Sequence, residues 1–299
     1  MTGTHRIALI GYGEVGQTLA ADLHERGFEE LTAWDIQFPQ PHSVPTRALQ
    51  QGHVRAATSS AEALAGATLV LSAVTASQCV DAARVASADL AKDAWFVDLN
   101  SVAPGTKQQA ARVIDAAGGR YVEAAVMAPI GPKRIASPIL LGGRHAGAFV
   151  PTATALGFVG MQPYSEVVGR AAAAKMCRSV MVKGIEALLA ESLLAARHYG
   201  VEDDVIASLE DLLPVGDWRA LSRYMISRSL QHGTRRAEEM REAAATVRDA
   251  GIAPWMSEAS VLRQDWAAAR GEATSCVDLA DMLDEMGVAM PEPTGVPAT

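Results

Sequence analysis

Three glycines, Gly11, Gly13 and Gly16, follow the apolar run Ile7–Ile10 at the spacing G-x-G-x-x-G. That spacing demands a strand, a tight turn and a helix in immediate succession. The first glycine permits the turn, the second lets a pyrophosphate approach the backbone, and the third lets the helix pack close to the strand. The helix that follows offers free N–H groups and the positive end of its dipole to phosphates. A second predicted strand, residues 31–35, ends in Trp34-Asp35. An acid about 20 residues beyond the glycines accepts hydrogen bonds from adenosine ribose hydroxyls and repels a 2′-phosphate. No Arg or Lys follows it in IQFPQ, which favours NAD and leaves NADP open. The expected cofactor-binding residues here are Gly11, Gly13, Glu14, Val15, Gly16 and Asp35, with the Glu14 carboxylate facing solvent.

The first half alternates apolar runs with alanine-rich helical stretches. Further strands are expected at 68–74, 95–99 and 121–126, with two short ones at 139–141 and 161–164. Helices are expected between them at 60–65, 77–90, 105–117 and 146–156. This alternation implies βαβ units and a mainly parallel, doubly wound sheet of the Rossmann type. From about residue 169 the strands cease. A long helical pattern over 170–199 is free of proline and stops at Gly200, and further helices are expected at 203–213, 218–232, 237–250, 255–270 and 277–286. The expected organisation is a dinucleotide-binding domain over 1–168 and an all-α domain over 169–290. The second domain opens with a long interdomain helix over 169–199 and is expected to contribute to the substrate site. Residues 291–299, in PEPTGVPAT, are expected to be a disordered tail.

Composition narrows the function. With 299 residues and 49% of them apolar, the chain is long enough for a sizeable core. A net charge of −8 argues against a nucleic-acid partner. No run of about 18 uncharged apolar residues is present, and the first apolar stretch is short for a secretory signal. The expectation is a cytoplasmic protein with no membrane partner. Cys79, Cys177 and Cys276 stand singly and are expected to be small buried residues. The histidines show no metal-ligand spacing, so no metal is expected.

Beyond the glycine turn, two segments stand out. One is Asp98-Leu-Asn100-Ser101-Val-Ala-Pro104 after the fourth expected strand, and the other is Gly169-Arg-Ala-Ala-Ala-Ala-Lys175 at the head of the long helix. Together with IALIGYGEVG they resemble the β-hydroxyacid dehydrogenases, which include 3-hydroxyisobutyrate and 6-phosphogluconate dehydrogenases, over almost the whole chain. The stretches KMCRSVMVKGIEALLAE and HGTRRAEEM are similar to a phosphogluconate-dehydrogenase-like NAD-binding branch. The resemblance implies an NAD(P)-dependent dehydrogenase of a small hydroxy acid, Lys175 as general acid/base, and a homodimer. The chain departs from the family where Ser179 replaces a helical Asn, where Met127-Ala128-Pro129 replaces an S-G-G loop, and at Ala171.

Physically, alcohol oxidation moves a hydride to nicotinamide while a base takes the hydroxyl proton. A lysine takes the proton, or returns it in the reverse direction, when burial or a nearby cation brings its pKa from about 10.4 towards about 7–8. Val74 and Thr75 are expected beside the cofactor ribose. Asn100 is expected to hold the nicotinamide amide or polar groups of the substrate, and Ser101 and Met127 are expected to contact the substrate as well. Ser179, about 6 Å along the helix from Lys175, can share its ligand. Lys183, about 12 Å along, either meets the far end of the substrate or pairs with Glu186 or Glu191. His232 and Arg235 are the further candidates for a substrate carboxylate, and Arg236 shares that cluster. Lys133 and Arg134 are lesser candidates. RRAEEMRE also fits a helix surface laced with i,i+3 and i,i+4 ion pairs. The alternatives are an imine reductase of the same plan, or a dinucleotide-sensing binding protein with no turnover.

Overall fold

The structure, a computed structural model, describes residues 6–287 with Leu213 and Val215 excepted. The tail expected at 291–299 lies outside the described residues. Two compact units emerge. The first comprises the chain through Arg178 together with Ala245–Ala250, and the second comprises Ser179–Ala244 and the chain from Gly251 onward.

The first unit is built on one eight-stranded sheet: β1 (Ile7–Ile10), β2 (Leu31–Trp34), β3 (Arg55–Ala56), β4 (Leu69–Ser72), β5 (Trp95–Asp98), β6 (Arg120–Val126), β7 (Ile139–Gly142) and β8 (Met161–Ser165). The strand order is β3-β2-β1-β4-β5-β6-β7-β8. β1 starts centrally and is flanked by β2 and β4, both parallel to it. The winding reverses there, and a crevice opens beyond the carboxyl ends of such strands. β7 runs antiparallel to β6, and β8 is parallel to β7. The sequences IALI, LVLS and WFVD are buried throughout, as strands covered on both faces must be. β3 is a two-residue exposed edge strand, too short and too polar to carry a periodic signal.

The helices of this unit are α1 (Glu14–Glu25), α2 (Val44–Ala48), α3 (Ser60–Leu64), α4 (Cys79–Ser87), α5 (Pro104–Ala116), α6 (Ile130–Lys133), α7 (Ala146–Leu156) and the first turns of α8 (Arg170–Tyr199). They cover the two faces of the sheet with two separate cores. Leu19, Leu23 and Phe149 pack with Leu71 and Val97 on one face, and Ala83, Ala110 and Ile114 pack with Val70 and Phe96 on the other. The alanines of α4 and α5 let these helices approach the sheet closely. The short α2 and α6 were not expected. Their local signals are a Ser43 cap with Pro45 for α2, and a Pro129 start for α6.

Among its described residues the second unit has helices and no strand, with the rest of α8, then α9 (Glu202–Leu212), most of α10 (Trp218–Asp249), α11 (Trp255–Ala268) and α12 (Leu279–Gly287). Its core gathers Leu193, Trp218, Ile226, Leu230, Met282 and Met286. The break expected between 232 and 237 is instead a kink within one helix, where His232 adopts φ −129° and ψ 19°. The next residue explains the bend. A Cβ on Gly233 would lie 2.6 Å from the Gln264 carbonyl oxygen, so glycine lets α10 and α11 meet backbone to backbone.

Candidate active site

The glycine turn has the geometry its spacing demands. Gly11 has φ +89°, and a Cβ there would stand 2.3 Å from the Ala73 carbonyl oxygen. A Cβ on Gly16 would stand 2.3 Å from the Gly11 carbonyl oxygen. Gly13 differs. It caps α1 at an ordinary φ of −77° with no side-chain hydrogen bond to the helix, and a Cβ there would meet nothing within 4 Å. Packing within the chain does not require a glycine at this position. What the missing side chain provides is open space at a helix N-terminus that carries no side-chain cap, a setting that suits an anion.

That space is part of a cavity of about 310 Å³ that brings together Gly11, Gly13, Asp35, Val74 and Thr75. Ile36, Val44, Pro45 and Val85 supply apolar walls suited to a flat ring. Asp35 is held by both oxygens: the Tyr12 N–H donates to Oδ2 and the Gln37 N–H to Oδ1, each at 2.8 Å. Glu14 is exposed, and Val15 packs against the core. A helix N-terminus without a side-chain cap, a carboxylate in the lining and apolar walls together fit a dinucleotide.

Beneath the cavity lies a buried polar cluster at the carboxyl end of β5. The Lys107 ammonium donates to the Asp98 carboxylate at 2.7 Å and to the Asp98 carbonyl at 2.8 Å. The Tyr121 hydroxyl donates to the other Asp98 oxygen at 2.8 Å, and the Asn100 N–H donates to the first at 3.0 Å. Burial, followed by the Asp98 charge, pushes both the Cys79 thiol and the Tyr121 phenol up. Asn100 was expected to present its amide to nicotinamide or substrate. Instead its Oδ1 accepts from the Val74 N–H at 2.7 Å and its Nδ2 donates to Ser72 Oγ at 3.1 Å. Asn100 therefore shapes the cavity by fixing Val74, one of its walls.

Ser101, next in the chain, accepts a hydrogen bond from Lys175 Nζ. Lys175 is half-buried on the second turn of α8. Met127 directly follows β6, and its N–H donates to the Pro138 carbonyl at 2.9 Å. Arg134 is committed elsewhere, paired with Asp22 of α1 at 2.6 Å.

Four predicted substrate contacts, Ser179, Lys183, His232 and Arg235, belong to the second unit. The Lys183 ammonium pairs with Glu239 at 2.7 Å and donates to Ser179 Oγ at 3.2 Å. The expected pairing with Glu186 or Glu191 is thus corrected, because Arg236 takes Glu186 and Arg263 takes Glu191. Arg235 does make the expected i,i+4 pair, with Glu239 at 3.5 Å. Arg236 departs from the surface pattern, being buried with its guanidinium on Glu186 and Gln264 close by. His232 marks the kink of α10. Cys177 is exposed and Cys276 partly so, against the expectation of burial, and only Cys79 is fully enclosed.

Reading the sequence missed Lys107, Tyr121 and Glu123. Glu123 is a fully buried acid in the middle of β6 that accepts from Gly169 N–H and Ala172 N–H at 2.7 and 2.6 Å. Its signal was present: a lone acid inside the apolar strand YVEAAV stays buried only with dedicated partners.

Comparison with known proteins agrees with this geometry. Residues 6–160 match the NAD binding domain of 6-phosphogluconate dehydrogenase, and residues 196–266 match a domain of unknown function, DUF1932. A curated relative is the mitochondrial 3-hydroxyisobutyrate dehydrogenase of Drosophila melanogaster, 24% identical over 211 residues, covering 69% of this chain and 63% of that protein. A conserved hypothetical protein from Sinorhizobium meliloti 1021 has a solved structure that is 35% identical, covers 96% of this chain and 97% of its own, and superposes with a TM-score of 0.72. Another conserved protein of unknown function, described as structurally similar to 3-hydroxyacid dehydrogenases, is 29% identical, covers 91% of this chain and all of its own, and has a TM-score of 0.67. Among the described residues, no helix is long and apolar enough to cross a membrane. With the match to residues 6–160 taking in more than half of its length, the chain belongs to the family defined by the NAD-binding domain of 6-phosphogluconate dehydrogenase, and so to the β-hydroxyacid dehydrogenase group that its motifs resemble.

Proposed function

We propose that this protein is an NAD(P)-dependent oxidoreductase acting on the CH–OH group of a small hydroxy acid or related alcohol, with Lys175 as general acid/base. The observation that carries the reading is the hydrogen bond from Lys175 Nζ to Ser101 Oγ. It sets a primary amine on the loop that follows β5, and the adjacent Asn100 holds the wall of the dinucleotide cavity. A bound nicotinamide supplies or accepts the hydride. Gly13 would leave room for the phosphates of the dinucleotide, with Gly11 allowing the turn, and Asp35 would meet the ribose hydroxyls. Lys175 takes the proton from the substrate hydroxyl oxygen in oxidation and returns it in reduction. Ser101 orients the ammonium and offers its own hydroxyl to the same oxygen. The negative charge of Asp35 in the cavity lining favours NAD over NADP by opposing a 2′-phosphate. The names of the relatives point to 3-hydroxy acids as the substrate class.

The test is a screen of hydroxy acids, and of imines in parallel, with NADH, NADPH and their oxidised forms, followed at the nicotinamide absorbance band. Lys175→Met is expected to lower the rate by about 10²–10⁴ while leaving NADH affinity unchanged. An unaltered rate removes Lys175 from the chemistry. Turnover of imines alone replaces the alcohol reading with imine reduction, and NADH binding without any turnover favours the sensing protein.

A further inference from the structure

We infer that Glu123 is the positioning residue for Lys175, acting through the N-terminus of α8; this rests on the reading of Lys175 as the acid/base. Ser, Thr, Asp and Asn are favoured at a helix cap because their side chains satisfy the first backbone donors. α8 has no such side chain, because the residue before it is Gly169, held at φ +99°, whose carbonyl accepts the first helical bond from Ala173. The cap is supplied from β6 instead. One Glu123 oxygen accepts from Gly169 N–H and the other from Ala172 N–H, so a single carboxylate fixes the start of the helix at two points. A negative charge at this end also opposes the helix dipole favourably.

The neighbourhood is shaped around that carboxylate. Gly142 lies opposite Glu123 in the β6–β7 register, and a Cβ on it would fall 2.2 Å from Glu123 Oε2. The missing side chain of Gly142 makes the room the carboxylate occupies. Gly169 in turn sits against Pro104 and Gln108 of α5, the helix that follows the Ser101 loop. Lys175 comes one turn after Ala172, about 4.5 Å along the axis, and side chains on a helix lean back towards its N-terminus. The ammonium therefore returns towards the capped end, where it meets Ser101. Glu123, Gly142 and Ser101 thus fix the place of one nitrogen from three elements.

The experiment measures Lys175 directly. Trace acetic anhydride labels amines in the intact protein, and mass spectrometry reads the rate at Lys175, with NADH affinity followed in parallel by fluorescence. In Glu123→Gln the amide keeps one acceptor and turns a donor towards the second N–H. Lys175 is expected to label about fivefold faster, as the loss of one well-made hydrogen bond implies, with NADH affinity retained. Glu123→Asp is expected to bring the rate back towards wild type. A Glu123→Gln protein that binds NADH and labels Lys175 at the wild-type rate overturns the inference. Should that variant fail to fold, Gly142→Ala displaces the same carboxylate without deleting it, and an unchanged labelling rate there overturns the inference equally. If Lys175→Met keeps full hydride-transfer activity, the acid/base reading fails, whereas the labelling result still decides the role of Glu123.

Discussion

At the residue scale, the three glycines of the opening turn do different work, and substitution separates them. A methyl group on Gly16 must displace the Gly11 carbonyl, which lies 2.3 Å from where its Cβ would be. Gly16→Ala is therefore expected to lose about 1–3 kcal/mol of stability and NADH binding with it, read by urea titration and nucleotide fluorescence. Gly13→Ala meets open space at an ordinary φ. It should cost no more than about 1 kcal/mol of stability yet weaken NADH binding at least tenfold, because the methyl enters the phosphate space. Equal losses in both properties for the two variants would remove Gly13 from the binding site. Glu123 carries a pH signature. Burial holds its carboxyl above the usual range, and burial does the same to Glu186. The folded chain then binds a proton at Glu123 more tightly than the unfolded chain. The contribution of that residue to stability is largest at low pH and falls as pH rises from the ordinary carboxylate range through the raised value. The stability difference between wild type and Glu123→Gln should shift in favour of the variant over that rise, as measured by calorimetry at stepped pH. A shift the other way contradicts the direction of the pKa.

At the element scale, α8 and α10 are joined in the second unit by charges that their apolar periodicity never announced. Arg236 of α10 reaches Glu186 of α8, with both side chains buried. Removing one partner of such a pair leaves an uncompensated buried charge and typically costs about 3–5 kcal/mol, whereas replacing both with apolar groups is often neutral or better. Arg236→Met is accordingly expected to destabilise strongly, and the double variant Arg236→Met/Glu186→Leu to recover most of the loss, in a double-mutant cycle by chemical denaturation. Additive losses would show that the ion pair is not the unit of stability here. The helices themselves were legible from their apolar runs, and α7 and α8 have the bounds the sequence pattern implied. The kink of α10 was not, because a bend at His232 depends on how closely Gly233 meets Gln264, thirty-odd positions away in the chain.

At the scale of the whole molecule, the sheet and its helices form one unit and the later helices another, each with its own core. Saturating NADH at 100 times its dissociation constant should stabilise the folded state by about 2.7 kcal/mol. Amide exchange should slow chiefly in the turn from Gly11 to Gly16, at Asp35 and around Val74 and Thr75. Protection confined to the helices of the second unit would place the nucleotide elsewhere. The sequence by itself determined the alternation of strand and helix, the glycine turn, Asp35 at the end of β2 and Lys175 near the head of α8. These are local: each follows from a few neighbouring residues and the backbone geometry they permit. Tertiary structure alone decided that Asn100 turns inward to Val74, that Lys183 pairs with Glu239, and that a buried Glu123 caps a helix starting 47 positions later in the chain. Those partners are set by which strands lie side by side and which glycines leave room between them. A buried charge is stable only where that packing supplies its hydrogen bonds, and no periodicity along the chain records which residues will do so.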